Sequence, residues 1–146
     1  MDNSLIAVFV FYAKAAGIQS KLSFSKEFKH ANVTIFDGDV WLHIDFDRPG
    51  IIIRKINCAS GSALLRHLKI IPEVSAIISV QILDRFKKSW FPWWVRSCNE
   101  VARYSTGIDV GFTFNPIHLY RKLLKYRHRK NYVMLSHWRR KHGVSE

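Results

Sequence analysis

Negative charge is scarce in this 146-residue chain: Asp and Glu together number 11 against 23 Lys and Arg, for a formal net charge of +12. Between Asp109 and the terminal Glu146 no acidic residue occurs, while Arg121, Lys122, Lys125, Arg127, Arg129, Lys130, Arg139, Arg140 and Lys141 all fall there. Such a balance favours polyanionic partners: nucleic acid, anionic lipid or an acidic protein surface. Cysteine is almost as rare. Cys58 and Cys98 are too few for a disulfide scaffold and suit a reducing compartment. The spaced thiolates or imidazoles of a zinc site are missing, since His67 and His118 fall in helical stretches without ligand-type neighbours. No metal or cofactor is expected. Long apolar runs are lacking too. The run Leu5–Ala13 follows Asp2 rather than a basic segment and is too short to span a bilayer. Neither a transmembrane segment nor a signal peptide is expected, nor are repeats, low-complexity tracts or interdomain linkers.

What the chain does have is apolar and aromatic residues, at 48% and 14%, enough for one domain with a true core. Leu5–Tyr12 reads as a buried central strand. Phe28–Phe36 and Val40–Phe46 alternate around Asp37-Gly38, which reads as a two-residue hairpin turn. That turn sets a register in which Phe36 faces Asp39, Asn32 faces His43 and His30 faces Asp45. Ala31, Val33 and Ile35 then share an apolar face with Val40, Leu42 and Ile44. His30, Asn32, Thr34, Trp41, His43 and Asp45 share the other. Ile51–Asn57 is the next expected strand. A helix over Ala63–Lys69, capped by Ser60 or Ser62, ends at Pro72. Val74–Leu83 alternates again, with Val74, Ala76, Ile78, Val80 and Ile82 on one face. After the aromatic connector Trp90–Trp94, a helix runs from Cys98 to about Ser105 and stops at Thr106-Gly107. Asn115 at N-cap and Pro116 at N1 open another, through Tyr126 or further. This order implies an α+β domain on an antiparallel sheet.

Two segments carry chemistry. Ser97-x-x-Glu100 is a capping box that places Cys98 at N1, where unpaired N–H groups and the helix dipole favour a thiolate and could hold an oxyanion. A small buried residue at a helix start is the plainer reading. His30 is the candidate general base, and such a base needs a second group to fix its tautomer. Asp45 lies opposite it and His43 one position diagonal, so either could serve. The alternative is an ordinary polar sheet face. Cys58 reads as core filler.

His30-Ala31-Asn32-Val33-Thr34-Ile35-Phe36-Asp37-Gly38, then His43, then Cys98 at a helix start, resembles the circularly permuted papain-fold cysteine hydrolases. These are relatives of the NlpC-type cell-wall peptidases and of the lecithin:retinol acyltransferase group. Trp90–Trp94, Cys98-Asn99-Glu100 and Pro116-Ile117-His118-Leu119-Tyr120 are also similar to small uncharacterised proteins encoded by tailed bacteriophages. The likeness covers about residues 5–125. It implies a permuted papain-like fold over 1–126, with Cys98 as nucleophile, His30 as base, and His43 or Asp45 as orienter. It departs in the spacing from His30 to His43, in Asn99 after the cysteine, and in the basic stretch at the end. The implied function is a phage-encoded, virion-associated hydrolase of an amide or ester bond in a peptide or peptidoglycan, sited in the virion or the host cytoplasm. The alternative is a non-enzymatic virion protein.

Residues 127–146 are expected as a basic helical extension. Arg127, Arg129, Lys130, Arg139, Arg140 and Lys141 are its candidate contacts to DNA or an acidic protein, with Tyr126, Tyr132 and Trp138 available to stack on bases. The plainer reading is a solvated amphipathic helix end packed through Leu123, Leu124, Val133, Met134 and Leu135.

Overall fold

The structure, a computed structural model, describes residues 5–14, 27–47, 50–83, 97–126 and 131–141. Strands β1 (Leu5–Tyr12), β2 (His30–Phe36), β3 (Trp41–Asp47), β4 (Gly50–Ile56), β5 (Val74–Ile82) and β6 (Tyr132–Arg139) form one sheet in the order β4-β3-β2-β1-β5-β6. Every neighbouring pair is antiparallel. The helices α1 (Gly61–Ile70), α2 (Cys98–Thr106) and α3 (Pro116–Lys125) complete the α+β architecture that the element order implied. No helix among the described residues is long and apolar enough to cross a membrane.

β1 is continuous in apolar residues because both of its faces are covered. Ala7, Phe9 and Phe11 meet Val33, Ile78, Val101, Ala102, Leu119 and Leu123, so α2 and α3 close that side. Val8 and Val10 meet Trp41, Leu64, Leu68 and Ile77 under α1. Phe9, Phe11 and Phe28 are each about 1% exposed or less, and each contributes about 1.5–3 kcal/mol by leaving water. On β5, Ala76, Ile78, Val80 and Ile82 face α2 and α3 as expected, but Val74 lies with the α1 cluster. A register shift between Phe11 and Tyr12 puts Ser75 in excess and turns Val74 over.

The caps act as the residue types dictate. Of the two serines, Ser60 caps α1, its Oγ accepting from Ala63 N at 3.2 Å. Asn115 caps α3 through His118 N at 2.9 Å, with Pro116 at N1. α2 ends on Gly107 in the left-handed region (φ 66°), as a helix terminated by an αL glycine does.

Two further expectations need correction. The hairpin between β2 and β3 pairs Phe36 with Trp41 and Thr34 with His43, a register displaced by two residues from that of a two-residue turn. The cause is Asp37, whose Oδ1 accepts from both Asp39 N and Val40 N at 3.0 Å and so organises a four-residue loop over 37–40. A shift of two keeps every side chain on its face, so the polar and apolar sets survive intact. The second correction concerns the C-terminal segment, which is not a helical extension. α3 stops at Lys125, and residues 132–139 form edge strand β6, bonded to β5 with Ile82 opposite Tyr132 and Ala76 opposite Arg139. Its Tyr-Val-Met-Leu start is β-favouring, and Tyr132 is fully buried with its hydroxyl donated to Leu123 O.

Candidate functional site

His30 is the first residue of β2, and Asp45 lies diagonally across on β3. The imidazole Nε2 meets Asp45 Oδ1 at 2.7 Å. The same carboxylate oxygen accepts from Phe46 N at 2.7 Å, so its own orientation is fixed by backbone. Asn32 donates through Nδ2 to Tyr12 Oη at 3.0 Å and, more weakly, to Asp45 Oδ2 at 3.5 Å. His43 stands farther off. Its Nδ1 is 3.2 Å from Thr34 Oγ1, directly opposite, and its Nε2 is 3.9 Å from Asp45 Oδ2. Of the two candidate orienters it is therefore Asp45 that contacts His30, while His43 flanks the carboxylate. This face is not an ordinary solvated one, because Asn32 and Thr34 are buried.

Electrostatics follows from those contacts. Burial alone would disfavour a charged ring at His30. The hydrogen bond to Asp45, then the nearby Cys98, outweigh it and raise the pKa to about 10. Burial likewise opposes charge on Asp45, but the bonds from His30 and His43 hold its carboxyl well below the ordinary carboxylate range. With Nε2 given to Asp45, the other ring nitrogen, Nδ1, is buried and has no hydrogen-bond partner among the described residues. Tyr12, its hydroxyl pushed up by burial, sets its ring 5.7 Å from the His30 ring.

Cys98 is N1 of α2, behind the N-cap Ser97, whose Oγ accepts from Glu100 N at 3.4 Å. Only this half of the capping box forms as read. The Glu100 carboxylate turns inward instead, where Arg103 donates through Nε at 3.1 Å and Nη2 at 2.7 Å. Thr113 adds its backbone N–H at 2.8 Å and its hydroxyl. Asn99 Nδ2 donates to Thr113 O at 2.7 Å and to Thr113 Oγ1 at 2.9 Å. Asn99, Glu100, Arg103 and Thr113 are all buried, which is tolerable because each polar group is paired. They lock the first turn of α2 to the segment before α3. The sequence signal for this was Asn99, a polar residue where the resemblance expects an apolar one.

The described basic candidates have separate roles. Arg140 is a clamp on the end of α1, donating to Val74 O, Lys69 O and Ile71 O at 2.9–3.0 Å. Arg139 pairs with Glu27 at 3.0 Å. Lys141 is exposed. Arg127, Arg129, Lys130 and the aromatic stretch Trp90–Trp94 lie outside the described residues. Tyr132 is core and offers no stacking face, whereas Trp138 is partly buried on the α1 cluster with the Arg140 guanidinium 5.3 Å from its ring centroid. Cys58 borders a cavity of about 470 Å³ under α1, with Val8, Phe36, Trp41 and Leu65, and that cavity includes neither Cys98 nor His30. Among the described residues no cluster of three or more His, Cys, Asp or Glu side chains could hold a metal ion.

Fold and site together define an α+β protein with a carboxylate-held imidazole on its sheet and a buried thiol at a helix start. In comparisons with known proteins, no family model matches the chain, and neither a curated protein nor a solved structure does.

Proposed function

We propose that this chain is a thiol hydrolase of an amide or ester bond, with Cys98 as nucleophile, His30 as proton carrier and Asp45 as the residue that orients it. What supports this is the His30 imidazole, held at Nε2 by Asp45 at 2.7 Å and left with a buried Nδ1 that no described group bonds, together with Cys98 in the first turn of α2, near enough to help raise the pKa of His30. The Cys98 thiolate would add to the carbonyl carbon, with first-turn N–H groups of α2 receiving the oxyanion. His30, as imidazolium, would give its proton to the departing amine or alcohol, leaving an acyl thioester on Cys98. Neutral His30 would then take a proton from water as it attacks, and the acid and the thiolate would part. The peptide or peptidoglycan substrate and the phage setting rest on the sequence resemblance alone.

Alkylation by iodoacetamide tests this with an internal reference. Cys58 is partly exposed while Cys98 is 6% exposed. Accessibility alone makes Cys58 the faster, whereas an activated thiolate makes Cys98 the faster at pH 6. A Cys98 no quicker than Cys58, or than the same thiol in denatured chain, sinks the proposal. It would leave the second reading, a non-enzymatic virion component, which the low exposure of Cys98 favours.

A further inference from the structure

Two phenylalanines are held out of the core by the same network that anchors α2. In the segment leading to α3, Thr113 is fully buried on Glu100 and Asn99, and the neighbours on either side point outward. Phe112 is 54% and Phe114 74% exposed. They are not loose. Their rings meet edge to face at 4.8 Å, and Phe114 lies parallel to His118 within 10° at 5.4 Å. Phe114 N donates to His118 Nδ1 at 3.2 Å, and Lys122 Nζ donates to Phe112 O at 2.6 Å. Gly111, at φ 69°, supplies the left-handed turn ahead of them.

Cations continue from the rings. Arg121, Lys122 and Lys125 follow His118 at helical spacing on one side of α3, reaching about 10 Å along the axis from the stacked histidine, whose own charge is disfavoured by burial and by Lys122 and Arg121. Arg121 and Lys125 are exposed. From residue 101 to 145 the sequence holds a single carboxylate, Asp109, which is exposed at the start of the segment. Rigid aromatic faces beside an almost unopposed cationic row meet the two requirements of a strand-binding surface: a π face for bases and positive charge for phosphates.

We propose that Phe112 and Phe114, with Arg121, Lys122 and Lys125, bind single-stranded nucleic acid, bases stacking on the rings and phosphates lying along α3. This places nucleic-acid contact on the α3 surface rather than on the C-terminal strand. It is independent of the hydrolase reading, since neither Cys98 nor His30 takes part.

The test is fluorescence anisotropy of a labelled oligothymidylate on the full chain, titrated with salt. Phe112→Ala with Phe114→Ala should weaken binding roughly tenfold or more and leave the salt slope unchanged. Phe114→Trp, which keeps the π face at an exposed site, should retain affinity. Arg121→Gln with Lys125→Gln should instead lower the salt slope by about one per cation removed. Undiminished affinity in the double alanine variant overturns the proposal, as does inorganic polyphosphate competing as well as the oligonucleotide. A self-association that the alanine variant abolishes, with oligonucleotide affinity untouched, also overturns it and assigns the rings to a second copy.

Discussion

Asp45→Asn removes a charge while keeping a side-chain oxygen that can accept from His30. The wild-type ring titrates at about 10 rather than 6.5, a preference for the protonated form on the order of 5 kcal/mol. Burial acts against that preference, so Asp45 and Cys98 together supply more than the net figure. An opposite charge at this range moves a pKa by about 1–3 units, and Asp45→Asn should lower the His30 midpoint by that amount. Cys98→Ser should lower it as well, by removing the neighbour that helps raise it. The measurement is a histidine side-chain NMR titration of the three proteins.

The same shift fixes the pH dependence of stability. Because the folded pKa of His30 lies above the unfolded 6.5, its contribution is complete below pH 6.5 and fades as pH rises through about 10. The Asp45 carboxyl is depressed, so its contribution is present above its ordinary value of 3.8 and is lost as pH falls through the lower folded value. Urea midpoints for Asp45→Asn should therefore show a smaller alkaline decline, one that ends at lower pH than in wild type, and lose part of the acid decline. A wild-type His30 midpoint near 6.5, or one that Asp45→Asn leaves unmoved, refutes the reasoning.

Other substitutions probe the frame. Glu100→Ala strands Arg103, whose side chain is 7% exposed, and should cost about 3–5 kcal/mol in urea unfolding. The double variant with Arg103→Met should recover much of that loss. Arg140→Ala removes the clamp on the end of α1 and should cost about 1.5 kcal/mol, a charge-assisted set of bonds that is partly solvated. Oligonucleotide affinity should stay within the change expected for one charge. Gly107→Ala forces a Cβ into the left-handed region (φ 66°), and should lower the thermal midpoint by the equivalent of about 1 kcal/mol.

Elements whose signals are local were legible in the sequence. Leu5–Tyr12, the Asn115-Pro116 start and the Gly107 stop stand where residue chemistry put them. The hairpin register was not, because alternation has a period of two and cannot distinguish registers that differ by two. Only the loop decides, and the loop follows an Asp37 side chain that competes for the backbone. β6 was hidden for another reason. As an edge strand it exposes Leu135, Ser136 and His137 in succession, so it shows no clean alternation and sits among the basic residues that suggested a helix. In the site, residue types pointed to His30, Asp45 and Cys98. Nothing local separated the buried Glu100–Arg103 pair from a solvated one at the same spacing on an exposed helix. Its burial depends on Thr113, a residue distant in sequence.

That dependence shows how the thiol and the imidazole are positioned. Each is fixed by its own polar system: the ring by Asp45 on β3, and the helix start by Thr113 on the approach to α3. What sets their separation is apolar, the packing of Val101 and Ala102 of α2 against the β2 face made by Ala31, Val33 and Ile35. Close-packed cores resist small displacements but do not specify direction as hydrogen bonds do. The two anchors therefore supply orientation, the core supplies spacing, and the chemistry proposed for Cys98 depends on both. Sequence alternation identified the β2 face on which the spacing rests, while the anchor at Thr113 could be recognised only once the chain had folded back over α2.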